Sequence, residues 1–128
     1  IFSLMNFPIL DLMDAMAYQN INSLKHDPFS SLVSMAVYAV PKGFTVSKEN
    51  IGTQVDISEL NPKTLFYGNM DYNNKKYYLR NSRSFAVCDV AENVNDVREK
   101  VYSELKLKVQ CITERMWALV NGKNRFRF

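Results

Sequence analysis

Few side chains of this sequence could carry chemistry. His26 is the only histidine, and Cys88 and Cys111 are the only cysteines. A Ser–His–Asp or Cys–His nucleophile would have to run through His26. That residue stands in Lys25-His26-Asp27-Pro28, a loop-forming run in which histidine reads as a solvated turn residue. Structural zinc takes about four ligands closely spaced in pairs, and no CxxC or HxxxH spacing occurs. The glycines, at 43, 52, 68 and 122, are isolated, so no phosphate-cradling loop is formed. Cys88 and Cys111 have apolar neighbours and read as buried thiols in a reducing compartment, not as a disulfide. Arg83, preceded by Asn81 and Ser82, stands at a turn between two strand-like runs and reads either as a solvated turn arginine or as an anion anchor. A guanidinium fixed there presents paired N–H donors to a carboxylate or a phosphate. Gly68 and Asn69 form a second polar turn and read first as turn formers.

The basic tail Lys123, Arg125 and Arg127 alternates with Phe126 and Phe128. Cations interleaved with aromatics are what single-stranded nucleic acid binding uses. Here the pattern is short and reads better as a terminal strand or a docking tail, so nucleic acid is not an expected partner. The 128 residues carry 16 basic and 13 acidic side chains, a net charge of +3 that demands neither nucleic acid nor membrane. With 47% hydrophobic and 23% charged residues, the composition is that of one globular domain able to bury a core without metal or disulfide. The apolar first 17 residues are interrupted by Pro8, Asp11 and Asp14 and lack a basic start, so they match neither a signal peptide nor a spanning helix. A cytoplasmic location is expected. The chain opens on Ile1 and not Met, which fits a processed start or a piece of something longer.

The elements that must position these residues are legible from periodicity. Apolar residues at 9, 10, 12, 13, 16 and 17 predict an amphipathic helix over 9–19 with a broad buried face, Met13 and Met16 filling core. Residues 20–28 read as loop. The β-branched and aromatic run 30–40, broken by Pro41-Lys42-Gly43, predicts a central, mostly buried strand. Residues 44–62 are irregular. Runs 64–67 and 76–79 predict a hairpin joined by the turn formers at 68–74, and 84–91 predicts another buried strand. A helix over 94–109 is capped by Asn93 with Asp96 three residues on. Val94, Val97, Val101 and Leu105 form its apolar stripe, and Asp96–Lys100 and Glu104–Lys108 are spaced as ion pairs. Residues 116–120 predict a last strand. Trp117, Tyr72, Tyr77 and Tyr78 read as core or sheet-surface side chains. The expected class is α+β, an antiparallel or mixed sheet covered by helices.

This order resembles the C-terminal part of phosphoribosylamine–glycine ligase, an ATP-grasp enzyme of purine biosynthesis, over most of residues 8–110. Asp11-Leu12-Met13-Asp14-Ala15-Met16 resembles the family's helix start after Asp-Leu. The run 31–43 is similar to its strand closed by Gly-Tyr-Pro, keeping the proline as Pro41. Leu65-Phe66-Tyr67-Gly68-Asn69 resembles Phe-His-Ala-Gly-Thr, with Tyr67 where histidine is usual. Asn81-Ser82-Arg83-Ser84-Phe85-Ala86-Val87 is similar to Gly-Gly-Arg-Val-Leu-x-Val, keeping the arginine and neither glycine. Residues 91–102 look like the helix that ends in Lys/Arg-Ala-Tyr, and 124–128 share arginine and aromatics with the family's terminus without its aspartate.

The resemblance implies a single domain, 1–128, at the C-terminal end of a longer ATP-grasp protein. The family forms an acyl phosphate with ATP and Mg2+ and lets an amine attack it. ATP and Mg2+ are expected mainly outside this segment, on upstream ATP-grasp domains or a partner chain, with a small-molecule amine and an amino acid as substrates. These 128 residues are not expected to catalyse ligation alone, and no catalytic or metal-binding residue is assigned within them. Their implied part is to close one side of the active site, with Arg83, Ser82, Asn81, Asn69 and Gly68 on the substrate. The alternative is a non-catalytic binding module that kept the fold and lost the site.

Overall fold

The computed structural model describes residues 2–24, 29–44, 46–106 and 112–119. His26, Cys111, residues 107–109 of the predicted helix and the basic tail lie outside the described residues. Helix α1 spans Ile9–Ala17, and strand β1 spans Val33–Pro41. The short strands β2 (Gln54–Val55), β3 (Leu65–Tyr67), β4 (Met70–Asn73) and β5 (Lys76–Leu79) follow. Strand β6 (Phe85–Ala91), helix α2 (Val94–Lys106) and strand β7 (Ile112–Leu119) complete the order. The fold is α+β. One antiparallel sheet runs β3-β6-β1-β7 and a second runs β2-β5-β4.

Strand β1 is central, as its apolar run predicts. It pairs with β6 from Val33↔Ala91 to Ala39↔Phe85, and with β7 from Ser34↔Leu119 to Pro41↔Ile112. Because side chains alternate across a strand, Val33, Met35, Val37 and Ala39 join Phe85 and Val87 on one face. There they meet Val97, Val101 and Leu105 of α2 in one buried cluster. Leu79, Val55 and Ile57 bring the second sheet to the same core. The opposite face carries Ser34, Ala36 and Tyr38 beside Ala86 and Cys88, a strip of mostly small side chains.

Helix α2 starts as expected. The Asn93 Oδ1 accepts from the Asp96 amide at 2.9 Å, and the Asn93 side-chain amide donates to Asp96 Oδ2 at 2.7 Å. The predicted Asp96–Lys100 pair gives way to other partners, and Lys108 of the predicted Glu104 pair lies outside the described residues. Lys100 Nζ donates to the Val90 carbonyl at 3.0 Å, bridging helix to sheet. Glu104 accepts from the Asn61 amide at 2.7 Å and the Thr64 hydroxyl at 3.0 Å. At Asp96 the neighbouring Asn93 side chain takes the place of Lys100, because an exposed ion pair is worth little.

Two expectations are corrected. Helix α1 does not bury a broad face: Ala15 is buried, but Leu10, Met13 and Met16 are 67%, 59% and 58% exposed. Among the described residues it packs chiefly on the short 3-10 turn Ile21–Ser23 and not on a sheet, so its apolar stripe has no cover. Nor do residues 64–67 form a hairpin with 76–79. The turn formers between them hold β4, which pairs with β5 from Met70↔Leu79 to Asn73↔Lys76. Asn74 and Lys75 make the two-residue turn with φ of 49° and 62°, the left-handed geometry that matches strand twist. Strand β3 pairs instead with β6, from Leu65↔Val87 to Tyr67↔Phe85. The irregular stretch also holds β2, which pairs with β5 and was not signalled by its length.

These burial differences set mutational costs. Leu79→Ala, at a position with no exposure, should lower unfolding free energy by about 2–5 kcal/mol. Met13→Lys should change it by less than about 0.5 kcal/mol. Urea denaturation of the two variants checks this; equal losses would mean that α1 is covered in solution.

Candidate functional site

The site is built where the chain changes sheets. Strand β3 leaves the first sheet and becomes β4 of the second through residues 68–69, while β5 returns to β6 through residues 80–84. The two arms stay hydrogen-bonded at the crossing: the Gly68 amide donates to the Ser84 carbonyl at 2.9 Å and the Asn69 amide to the Arg83 carbonyl at 2.8 Å. A Cβ at Gly68 would lie 2.6 Å from the Arg83 carbonyl oxygen and 2.8 Å from that of Ser84. Only glycine permits this approach. The unequal arms make a bulge of 80–84, and bulges re-aim side chains. Within it the Ser82 amide donates to the Arg80 carbonyl at 2.8 Å, and the Ser84 amide returns to β1 through the Ala39 carbonyl at 2.9 Å.

The bulge lays Arg83 over the Tyr38 ring, with the guanidinium carbon 5.2 Å from the ring centroid. A guanidinium over an aromatic face is attracted by the ring's quadrupole, which favours this placement of Arg83. Among the described residues no carboxylate pairs with Arg83, whereas Arg80 is matched by Asp71 at 3.1 Å. Crossing geometry thus brings Gly68, Asn69 and Arg83 together. Of the predicted site residues only Gly68 lines the groove beside the crossing; Asn69, Asn81 and Ser82 do not, and Arg83 adjoins it through Tyr38. The Ser84 hydroxyl, fully buried under the crossing, has no hydrogen-bond partner among the described residues.

Beside Arg83 runs an open groove of about 320 Å3. Ala36, Ala86 and Gly68 form its floor, and Tyr38, Phe66 and Tyr67 its walls. The N-terminal turn Phe2–Leu4 closes one end, pinned by a 3.0 Å hydrogen bond between the Ser3 and Ser34 hydroxyls. Cys88 is a free, half-buried thiol in this groove, 3.5 Å from the Ser34 hydroxyl, and not the fully buried residue expected. Of these lining residues only Gly68 was expected to touch a ligand; Cys88 was expected as a buried thiol. The signal that finds them is the period-two run of small residues in Ser34-x-Ala36 and Ala86-x-Cys88, which leaves a shallow strip on one sheet face.

Tyr67 is also the ridge between this groove and a second one of about 410 Å3, which Tyr77, Lys75 and Lys76 help line. Its ring stacks 5.5 Å from that of Tyr77, and the Tyr72 ring lies tilted 4.8 Å from Tyr77. The Tyr77 phenol is raised above its ordinary value, first by the side-chain hydrogen bond with Tyr67, then by burial and by the charge of Tyr67 and Tyr72.

No known protein-family profile matches this chain. It is similar to a phosphoribosylamine–glycine ligase of Methanosarcina barkeri, with 26% identity over 94 residues. The aligned stretch is 73% of this chain and 21% of that ligase, so the chain spans about a fifth of the relative's length. The match supports a distant relationship to that ligase.

Two outcomes test the crossing and the tyrosine cluster. Gly68→Ala should cost about 1–3 kcal/mol in urea unfolding, because the added methyl displaces backbone and not a flexible side chain. Tyr67→Phe should lower the apparent pKa of Tyr77, read by ultraviolet difference titration. A phenol raised in the folded state favours the neutral form. Its contribution to stability is therefore complete below about pH 10 and lost as pH rises through the raised value. An unchanged titration would remove Tyr67 as the cause.

Proposed function

We propose that this chain is the C-terminal portion of an ATP-grasp carbon–nitrogen ligase resembling phosphoribosylamine–glycine ligase. In this reading it closes one side of the active site and anchors a substrate anion on Arg83. The observation that carries it is the 26% identity over 94 residues with a ligase, beside a chain crossing that, among the described residues, places an unpaired guanidinium over Tyr38. In this reading Arg83 binds and orients: its guanidinium lies over Tyr38, its carbonyl accepts from the Asn69 amide, and its N–H groups take a carboxylate or phosphate. Gly68 lets the two arms close to hydrogen-bonding distance and so sets where that edge stands.

ATP and Mg2+ belong elsewhere in this reading. The described residues offer no group of three histidine, cysteine or acidic side chains able to hold a metal, and the sequence has no glycine-rich phosphate loop. The fit to Mg2+-ATP is therefore poor, and nucleotide chemistry falls to other ATP-grasp domains, on the same polypeptide or on a partner, in the cytoplasm. None of the helices described is long and apolar enough to cross a membrane. A second reading, a non-catalytic binding module, is favoured by the absence of both family glycines at Asn81 and Ser82.

The test is ATP-dependent phosphate release by the complete protein with candidate acids and amines. Arg83→Ala should raise the KM for the anchored substrate by about tenfold or more, the worth of a charge-assisted hydrogen bond. Arg83→Lys should recover part of it. Turnover unchanged by Arg83→Ala would remove Arg83 from the site. Absence of ATP-dependent release with every acid and amine would favour the binding module.

A further inference from the structure

The groove beside Arg83 has a composition that constrains what it can hold. Its floor of Ala36, Gly68 and Ala86 carries no polar side chain, and its walls are aromatic. Phe66 and Tyr67 are 55% and 61% exposed, leaving apolar surface uncovered on both sides of the slot. A small-residue floor between aromatic walls fits a flat apolar group, because rings prefer stacked or edge-on contact at short separation. A volume of about 320 Å3 lies at the lower end of ligand sites, which run from about 300 to 1,000 Å3. It has room for one ring system and a short chain.

The charge at the rim is as specific. Arg83 is the cation that stacks on a wall residue, and its neighbour Arg80 is matched by Asp71. Among the described residues no lysine lines the groove. One guanidinium balances one carboxylate through a bidentate pair. A phosphate monoester carries about −1.5 to −2 and would be left underneutralised beside an apolar slot. A sugar would bury hydroxyls against Ala36 and Ala86 without partners, at a cost for each.

We infer that this groove binds an aromatic carboxylic acid, its ring between Tyr38 and Phe66 and its carboxylate on Arg83. This rests on the reading of Arg83 as an anion anchor and narrows it to a substrate class unlike a phosphorylated sugar. Cys88, at the groove and 3.5 Å from Ser34, lies where a bound ring covers it and serves as a reporter.

The experiment titrates the chain with 3-phenylpropionate, its neutral amide and ribose 5-phosphate, by calorimetry and by amide shifts in NMR. The acid should bind with a dissociation constant on the order of 0.1–1 mM, perturb the amides of Ala36, Gly68 and Ala86, and slow alkylation of Cys88 in a Cys111→Ser background. The amide should bind at least about tenfold more weakly, and Arg83→Gln should cost the acid the same factor. Phe66→Ala, at an exposed wall position, should weaken the acid several-fold with circular dichroism unchanged. Equal binding of acid and amide, or of the acid to the native chain and Arg83→Gln, overturns the proposal. Arg83-dependent binding of ribose 5-phosphate without binding of the acid overturns it while leaving Arg83 an anion anchor. Binding of neither overturns both.

Discussion

The structure depends on one close approach, the backbone of Gly68 against the carbonyls of Arg83 and Ser84. Any side chain at residue 68 would place a carbon inside the contact distance of both oxygens. The approach lets a single pair of chain arms serve two sheets, pairing β3 with β6 on one side and β4 with β5 on the other. Because residues 68–69 oppose residues 80–84, the surplus is expelled as the bulge that carries Arg83. Position and charge of the site are thus consequences of how the chain changes sheets.

The crossing is held in place by contacts of modest individual strength. Glu104 of α2 accepts from Asn61 and Thr64, which fixes where β3 begins. The Thr64 carbonyl in turn accepts from the Cys88 amide at 2.8 Å, joining that start to β6. Val97 and Val101, fully buried, clamp α2 onto β1 and β6. Net hydrogen bonds are worth about 0.5–1.5 kcal/mol each, so no one of them holds the site. Their common effect is to leave β3 one register on β6, and that register delivers Gly68 to Ser84.

The parts legible in the sequence were those in which local pattern and tertiary role agree. The run 33–41 is β-branched and apolar because it lies at the centre of a sheet, and the Asn93 cap with its stripe from Val94 to Leu105 is read directly from spacing. Strand β4 was hidden because Asp71, Asn73 and Asn74 are turn formers in type; a two-residue turn at 74–75 leaves the first two in a strand. Residues 64–67 and 76–79 look like partners by proximity, and only the Gly68 contact reveals that each pairs elsewhere. Helix α1 has the periodicity of a buried helix, yet periodicity reports an apolar face and not what covers it. Arg83 was visible by type and position. Its stacking on Tyr38, a residue 45 positions earlier in the chain, follows from sheet register, which sequence spacing does not encode.

The departures from the resembling family acquire a physical sense at this crossing. Two glycines before the arginine would let a ligand approach bare backbone. Asn81 and Ser82 instead occupy the bulge, so the donors at the rim are those of the Arg83 side chain. Tyr67 replaces a titratable imidazole with a ring that walls an apolar slot and stacks on Tyr77 at 5.5 Å. Only Tyr67 adds aromatic surface; Asn81 and Ser82 put polar side chains where the resembling motif has bare backbone, and Gly68 and Arg83 stand as in that motif. The crossing alone accounts for Gly68, because any Cβ there would meet the carbonyl oxygens of Arg83 and Ser84 whether or not a ligand is bound.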